Sequence, residues 1–272
     1  MSFSSQSHAF GREAELAADQ IGLGVTALGK AGYGNSGLYS RAFFGLSVGL
    51  ERLAKLVIIA DYAIDNRGGF PNNTELRRIG HDIASLFDKC EAISIRRDLA
   101  RNNARPNTEI NAAIVKTLTE FGIRSRYYNL DLIVNRRQDA EEPIQAWWTR
   151  VGQLILSKHY SARQQARHER IAAAIGEQAD SVTSVHFHDE QGHFMGDVAT
   201  ILRRGSENRV VQKYSRLYTL QIVRWLSTLL STLIDTATHM RIEALAGLSE
   251  YFRVYPGQSD DYLLRRTTWP GL

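Results

Sequence analysis

Apolar residues recur at three- and four-residue intervals along nearly the whole chain, and a chain with that period folds into helices. Between Glu13 and Leu28 the repeat is carried by Leu16, Ala17, Ile21, Leu23, Val25 and Leu28. A glycine-rich break at 32–37 follows, and Leu38 to Ile64 then predicts a long helix. Its Gly45 and Gly49 lie four apart on one face, where each costs about 1 kcal/mol against alanine. Close approach of another backbone accounts for them. Thr74 is the expected cap of the next helix, which carries Leu76, Ile79, Ile83, Leu86, Phe87 and Ile93. Thr108 caps the one after it (Ile110, Ile114, Leu118, Phe121), and Gly122 is its expected end.

Glu141 to Ala179 reads as one long helix with Pro143 in its first turn, and Ile171 and Ile175 as late packing positions. Glu207 to Phe252 reads as another, with a stripe from Leu226 to Met240. Ser181 to Leu202 departs from this period. Val182, Val185 and Phe187 alternate with polar residues, Asp189 to Gly192 offers a turn, and His193 to Met195 runs back. The expected fold is therefore all-α: a bundle of five or six long helices over 11–254, with a small β-hairpin near 182–196 inserted at 181–202. Residues 1–10 are polar and serine-rich and read as flexible. Residues 255–272 read as a turn-rich tail along the surface.

Composition narrows the function classes. With 43% hydrophobic and 23% charged residues, the 272-residue chain is not disordered. A single cysteine, Cys90, excludes a disulfide framework and a thiolate metal cluster, and a reducing, cytoplasmic setting is expected. No secretory leader is read at the N-terminus and no run reaches about 18 apolar residues, so no membrane partner is expected. The net charge of +4 with pI near 9.2 permits a polyanionic partner without requiring one.

Five clusters carry chemistry. Glu51 and Lys55 are an i,i+4 pair among apolar neighbours; Glu51 there calls for a cationic partner, with Arg126 and His81 as candidates. Arg77 and His81, four apart on a helix, would face together, with Arg78 and Asp82 one row over. An arginine can stabilise phosphorane charge while a histidine moves a proton near neutral pH. Arg124, Arg126, Tyr127 and Asn129 crowd a short connector suited to phosphate or base contacts, or to pinning helix ends. Arg163 and His168 sit about 140° apart on a straight helix, so they cannot act together within one chain. His186, His188 and His193 straddle the hairpin turn. They can be written as a zinc set, but a polar hairpin face explains them more simply, and neither metal nor cofactor is expected. The plain alternative throughout is a solvated or structural side chain.

Three of these segments together resemble a HEPN-type domain: Gly49 to Leu56, Leu76 to Ile83 with Leu86 and Phe87, and Arg126 to Asp131. The resemblance spans roughly residues 10 to 250. It implies a helical bundle, often dimeric, found in RNA-cleaving toxins, phage-defence and CRISPR-linked effectors, and in non-catalytic nucleotide-binding or adaptor modules. Its ribonuclease signature places four to six residues between an arginine and a histidine. Arg77 and His81 have three between them, whereas Arg163 and His168 have four. The reading that results is an RNA- or nucleotide-binding protein, acting as a metal-independent endoribonuclease if catalytic. His81 is the acid/base, Arg77 or Arg126 the phosphate ligand, Asp82 the group orienting His81, and Glu51 and Lys55 the support. Arg163 and His168 are the alternative pair, paired across a homodimer. The rival is a non-catalytic dimeric module that docks a partner protein, for which the Leu226–Met240 stripe is the expected face.

Overall fold

The computed structural model describes residues 5–135, 141–179, 183 and 185–270. Met1 to Ser4, Ser181 and Val182 of the expected hairpin segment, and the last two residues of the tail lie outside the described residues. The architecture is all-α. Six helices of twelve or more residues form its frame: α1 (Ser5–Leu28), α2 (Gly37–Asp65), α4 (Ile83–Arg96), α5 (Glu109–Glu120), α9 (Ala162–Ala179) and α10 (Val198–His239). Shorter pieces link them: α3 (Asn73–Ile79), α6 (Tyr128–Ile133), α7 (Pro143–Trp147), α8 (Gln153–His159) and α11 (Asp260–Arg265). The hairpin is present as β1 (Phe187–His188) and β2 (Phe194–Met195), antiparallel, with Phe187 opposite Met195 and His188 opposite Phe194.

α1 and α2 form an antiparallel pair in backbone contact. A Cβ on Gly45 would lie 2.7 Å from the Gln20 carbonyl, and one on Gly49 would lie 2.7 Å from Ile21 Cγ1. The two glycines are thus the close-packing positions that their spacing implied. α10, about 63 Å long at 1.5 Å per residue, runs through the core. By length and composition it could cross a membrane, and 72% of its apolar window is buried inside the fold. Leu226, Leu229, Leu230, Leu233, Ile234 and Ala237 are all buried. The stripe expected to face a partner is therefore the chain's own core, and only Met240 at its end is exposed.

Several boundaries differ from expectation for local reasons. Ser5 to Phe10 belong to α1 and are not a flexible lead-in. Asn72, not Thr74, caps α3, accepting from the Thr74 and Glu75 amides while Glu75 returns to the Asn72 amide at 2.7 Å. The expected helix through Ile93 stops at Ile79, because Gly80 adopts φ +81° and Asp82 starts α4 by accepting from the Ser85 amide at 2.8 Å. The expected Glu141–Ala179 helix is three pieces. α7 passes into a π turn (Trp148–Gly152), then α8, and the chain breaks at Tyr160 before Ser161 and Gln164 bond reciprocally at the start of α9. Ile171 and Ile175 on α9 are exposed. α10 begins at Val198 behind an Asp197 cap, nine residues before the expected Glu207 start, and ends at His239. The tail is docked: Trp269 is buried, stacks on Tyr255 at 5.4 Å, and exchanges hydrogen bonds with Thr26.

Candidate nucleotide and nucleic-acid site

One face of α2 organises the predicted residues. Phe44, Ser47, Glu51 and Lys55 fall within about 80° of each other around the helix. At one end of this stripe His81 reaches across from the α3–α4 turn. Its Nδ1 lies 2.9 Å from Glu51 Oε1, and Lys55 Nζ lies 2.8 Å from the same oxygen. Lys55 Nζ also lies 3.1 Å from His81 Nδ1, so that nitrogen stands between an acceptor-only carboxylate and a donor-only ammonium, on a side chain that is 82% exposed. Of the two cationic partners foreseen for Glu51, His81 is the one present. Arg126 instead donates to the Gly122 carbonyl from Nε (3.0 Å) and Nη2.

At the other end of the stripe α5 does not terminate at Gly122. It widens into a π turn, Phe121–Ser125, seated on Phe44 with 5.0 Å between the Phe44 and Phe121 ring centroids. A second π turn, the one following α7, lies across from it. Between them is a cavity of 140 Å³ lined by Glu120, Phe121, Arg124 and Ser125 from one side and Glu141, Pro143, Ala146 and Arg150 from the other. An adjoining cleft of 100 Å³ shares Phe43, Phe121, Ser125 and Pro143 with it and adds Arg126, Tyr127, Tyr128, Asn129 and Glu142. π turns insert an extra residue into a helix and commonly mark binding sites. Here each aims one arginine at the same hollow.

The electrostatics of the two arginines differ. Arg150 is bonded to Glu120 and, at 2.8 Å, to Glu141; the Glu120 hydrogen bond leads the effects that raise its pKa further. Arg124 makes no ion pair among the described residues and is exposed. Among the described residues Arg126 has a neutral carbonyl and the Tyr127 ring, over which its guanidinium lies 6.0 Å from the centroid, as partners. Glu142 caps α7 through the Gln145 amide at 2.6 Å, yet burial pushes its carboxyl above the usual range. The hollow therefore presents Arg124 and Arg126, neither ion-paired among the described residues, beside an exposed tyrosine ring, with Glu120, Glu141 and Glu142 also in its lining.

The remaining expectations resolve as follows. Arg77 and His81 do not share a helix face, because α3 ends between them; Arg77 and Arg78 are exposed and make no ion pair among the described residues. Asp82 is consumed by capping α4 and does not orient His81; Glu51 does. α9 is an unbroken α-helix at residues 163–168, so Arg163 and His168 diverge as geometry required, and His168 Nδ1 bonds Tyr160 Oη at 2.8 Å. The hairpin histidines form no metal-ligating group among the described residues. His188 packs its edge on Phe194, and His193 pairs with Asp189 at 3.3 Å. Sequence reading missed Glu120, Glu141, Glu142 and Arg150. Their one signal was the Trp147-Trp148 pair, whose double burial a regular helix face does not easily accommodate.

A second hollow, of 430 Å³, lies between the hairpin and α7 and is lined by Tyr33, Glu142, His188, Asp189 and Glu190. Its wall is a buried ion-pair cluster in which Arg204 bonds Glu190 at 2.8 Å and lies 3.6 Å above the Trp148 ring. Comparison with known protein families, with curated proteins and with solved structures finds no match for this chain.

Proposed function

We propose that this chain is a HEPN-like helical module that binds RNA or a nucleotide through the hollow between the two π turns. The observation that carries this reading is the gathering of Arg124, Arg126, Tyr127 and Asn129 around two adjoining cavities. A phosphate meets Arg124 and Arg126, which make no ion pair among the described residues, and a base meets the exposed Tyr127 ring. The three segments of the family resemblance also lie along one face of α2. Binding of a mononucleotide to the full chain by calorimetry tests the reading. Arg124→Ala and Arg126→Ala should each weaken binding by about 10-fold or more, the scale of a charged hydrogen bond. No binding by the wild type, or unchanged binding in both folded variants, rejects it.

Cleavage is a separate arm of the same proposal. His81, with Nδ1 fixed on Glu51 and Nε2 facing solvent, is placed to accept or donate a proton, with Arg77 and Arg78 unpaired on the preceding helix. Growth and RNA integrity are compared in cells expressing wild type, His81→Ala and His168→Ala. RNA degradation lost only in His81→Ala supports a metal-independent ribonuclease centred there.

A second reading, a non-catalytic dimeric module that docks a protein partner, has its own observation. Leu130, Leu132, Ile133 and Val134 on and after α6 are between 49% and 75% exposed, an apolar group that the fold leaves uncovered. Under that reading Ile133→Asp abolishes self-association or partner capture while nucleotide binding stays absent in the wild type.

A further inference from the structure

A second face of the molecule, away from the cavities, carries cations that make no ion pair among the described residues. α8 ends at His159 and packs on α10. There the His159 imidazole lies flat on Tyr214, with 3.6 Å between centroids and 8° between planes. Its Nε2 is 2.9 Å from Tyr218 Oη. Two ammonium groups flank these rings: Lys158 Nζ is 5.7 Å from the Tyr218 ring and Lys213 Nζ is 5.5 Å from the Tyr214 ring. Arg209, one turn before Lys213, lies about 140° around α10 from Tyr214 and bonds Ser206 Oγ at 2.9 Å, so it stands off the stacked rings.

Lys158 and Lys213 are exposed, and neither makes an ion pair among the described residues. The acidic groups nearest to this face are engaged elsewhere. Glu207 holds Arg204 at 3.1 Å, and Glu169 holds Arg203 at 3.0 Å. The local excess is registered by His159 itself. Burial first, and then the charges of Lys158 and Lys213, hold its pKa below the ordinary 6.5. A surface that combines lysines free of ion pairs among the described residues with half-buried rings has the composition of a single-strand platform, on which phosphates meet the cations and a base meets a ring. An acidic peptide would use the cations and leave the rings without a partner.

We infer that the α8–α10 face binds the backbone of a single-stranded nucleic acid, with Lys158 and Lys213 on its phosphates and the His159–Tyr214 stack beneath a base. The inference deepens the nucleic-acid reading above but uses none of the cavity residues, so either site can fail alone.

The test is fluorescence anisotropy of the full chain with a labelled 20-nucleotide single-stranded RNA, its DNA counterpart, and a polyglutamate of matched length, between 50 and 200 mM salt. Two phosphate contacts at about 0.7 each give a slope near −1.4 in log affinity against log salt, an affinity loss of about 7-fold across that range. The double variant Lys158→Ala, Lys213→Ala should lose that slope and keep mononucleotide binding. Arg124→Ala should keep the slope and weaken mononucleotide binding by about 10-fold or more. If the double variant does not fold, each single substitution should remove about 0.7 of the slope. Tyr214→Leu should weaken nucleic acid and leave polyglutamate unaffected. An unchanged slope in the folded variants, absence of nucleic-acid binding by the wild type, or equal affinity for polyglutamate overturns the inference.

Discussion

Gly45 and Gly24 meet where α1 crosses α2: a Cβ built on Gly45 would come within 3.1 Å of the Gly24 Cα. The helices touch backbone to backbone there, and this contact sets how closely the α2 stripe bearing Glu51 and Lys55 is held to the rest of the core. Gly45→Ala gains helix propensity but must displace the Gln20 carbonyl, so a net loss of about 1–3 kcal/mol is expected. Urea denaturation measures it. Gly37→Ala, which meets open space, is the control and should stay within about 0.5 kcal/mol of wild type.

The Arg204–Glu190 pair is nearly closed to water, at 11% and 1% side-chain exposure. Glu190 also accepts from Tyr39 at 3.4 Å. Glu190→Ala leaves a buried guanidinium with reduced compensation, at an expected cost of about 3–5 kcal/mol. Replacing both partners together, with Glu190→Leu and Arg204→Met, should recover much of that loss. A double variant no more stable than the single one would mean that the cluster, not the pair, carries the energy.

His159 makes stability depend on pH in a defined direction. Its native pKa lies below 6.5, so below that pH the unfolded chain takes up a proton that the native chain resists. Above 6.5 both states are neutral and the group contributes no pH dependence. As pH falls through 6.5 toward the native value, its contribution to stability declines. His159→Gln abolishes this term, so its stability relative to wild type should improve between pH 7.5 and pH 5.5. A constant difference across that range would show that another group takes up the proton.

Trp269 ties the C-terminal segment to α1. It is buried, stacked on Tyr255, and its backbone amide donates to Thr26 Oγ1 at 2.9 Å. Trp269→Ala should cost about 3–5 kcal/mol, visible as a lowered thermal midpoint. A surface tail would tolerate the change.

The sequence by itself determined the fold class, because a three-to-four residue apolar period has no other solution over this length. It also marked the hairpin, since strict alternation around Asp189 to Gly192 suits only a turn between strands. It pointed to Gly45 and Gly49 as a packing seam and to Glu51 and His81 as partners. Some breaks were present in the sequence but outweighed by the long period: Gly80 with Asp82, and Ser161 with Gln164, are local stop and start signals that tertiary packing then enforced. Other features had no local signal. A π turn adds one residue to a helix without altering its composition. The hollow that brings Arg124 to Arg150 therefore exists only because Phe121 packs on Phe43 and Phe44 while Trp147 packs on Phe43. The fate of an apolar stripe was equally undecidable. Leu226 to Ala237 and Leu130 to Val134 are both apolar, and only the three-dimensional arrangement buried the first and left the second exposed. Periodicity is a property of one helix at a time, whereas burial and convergence belong to pairs of helices distant in the chain.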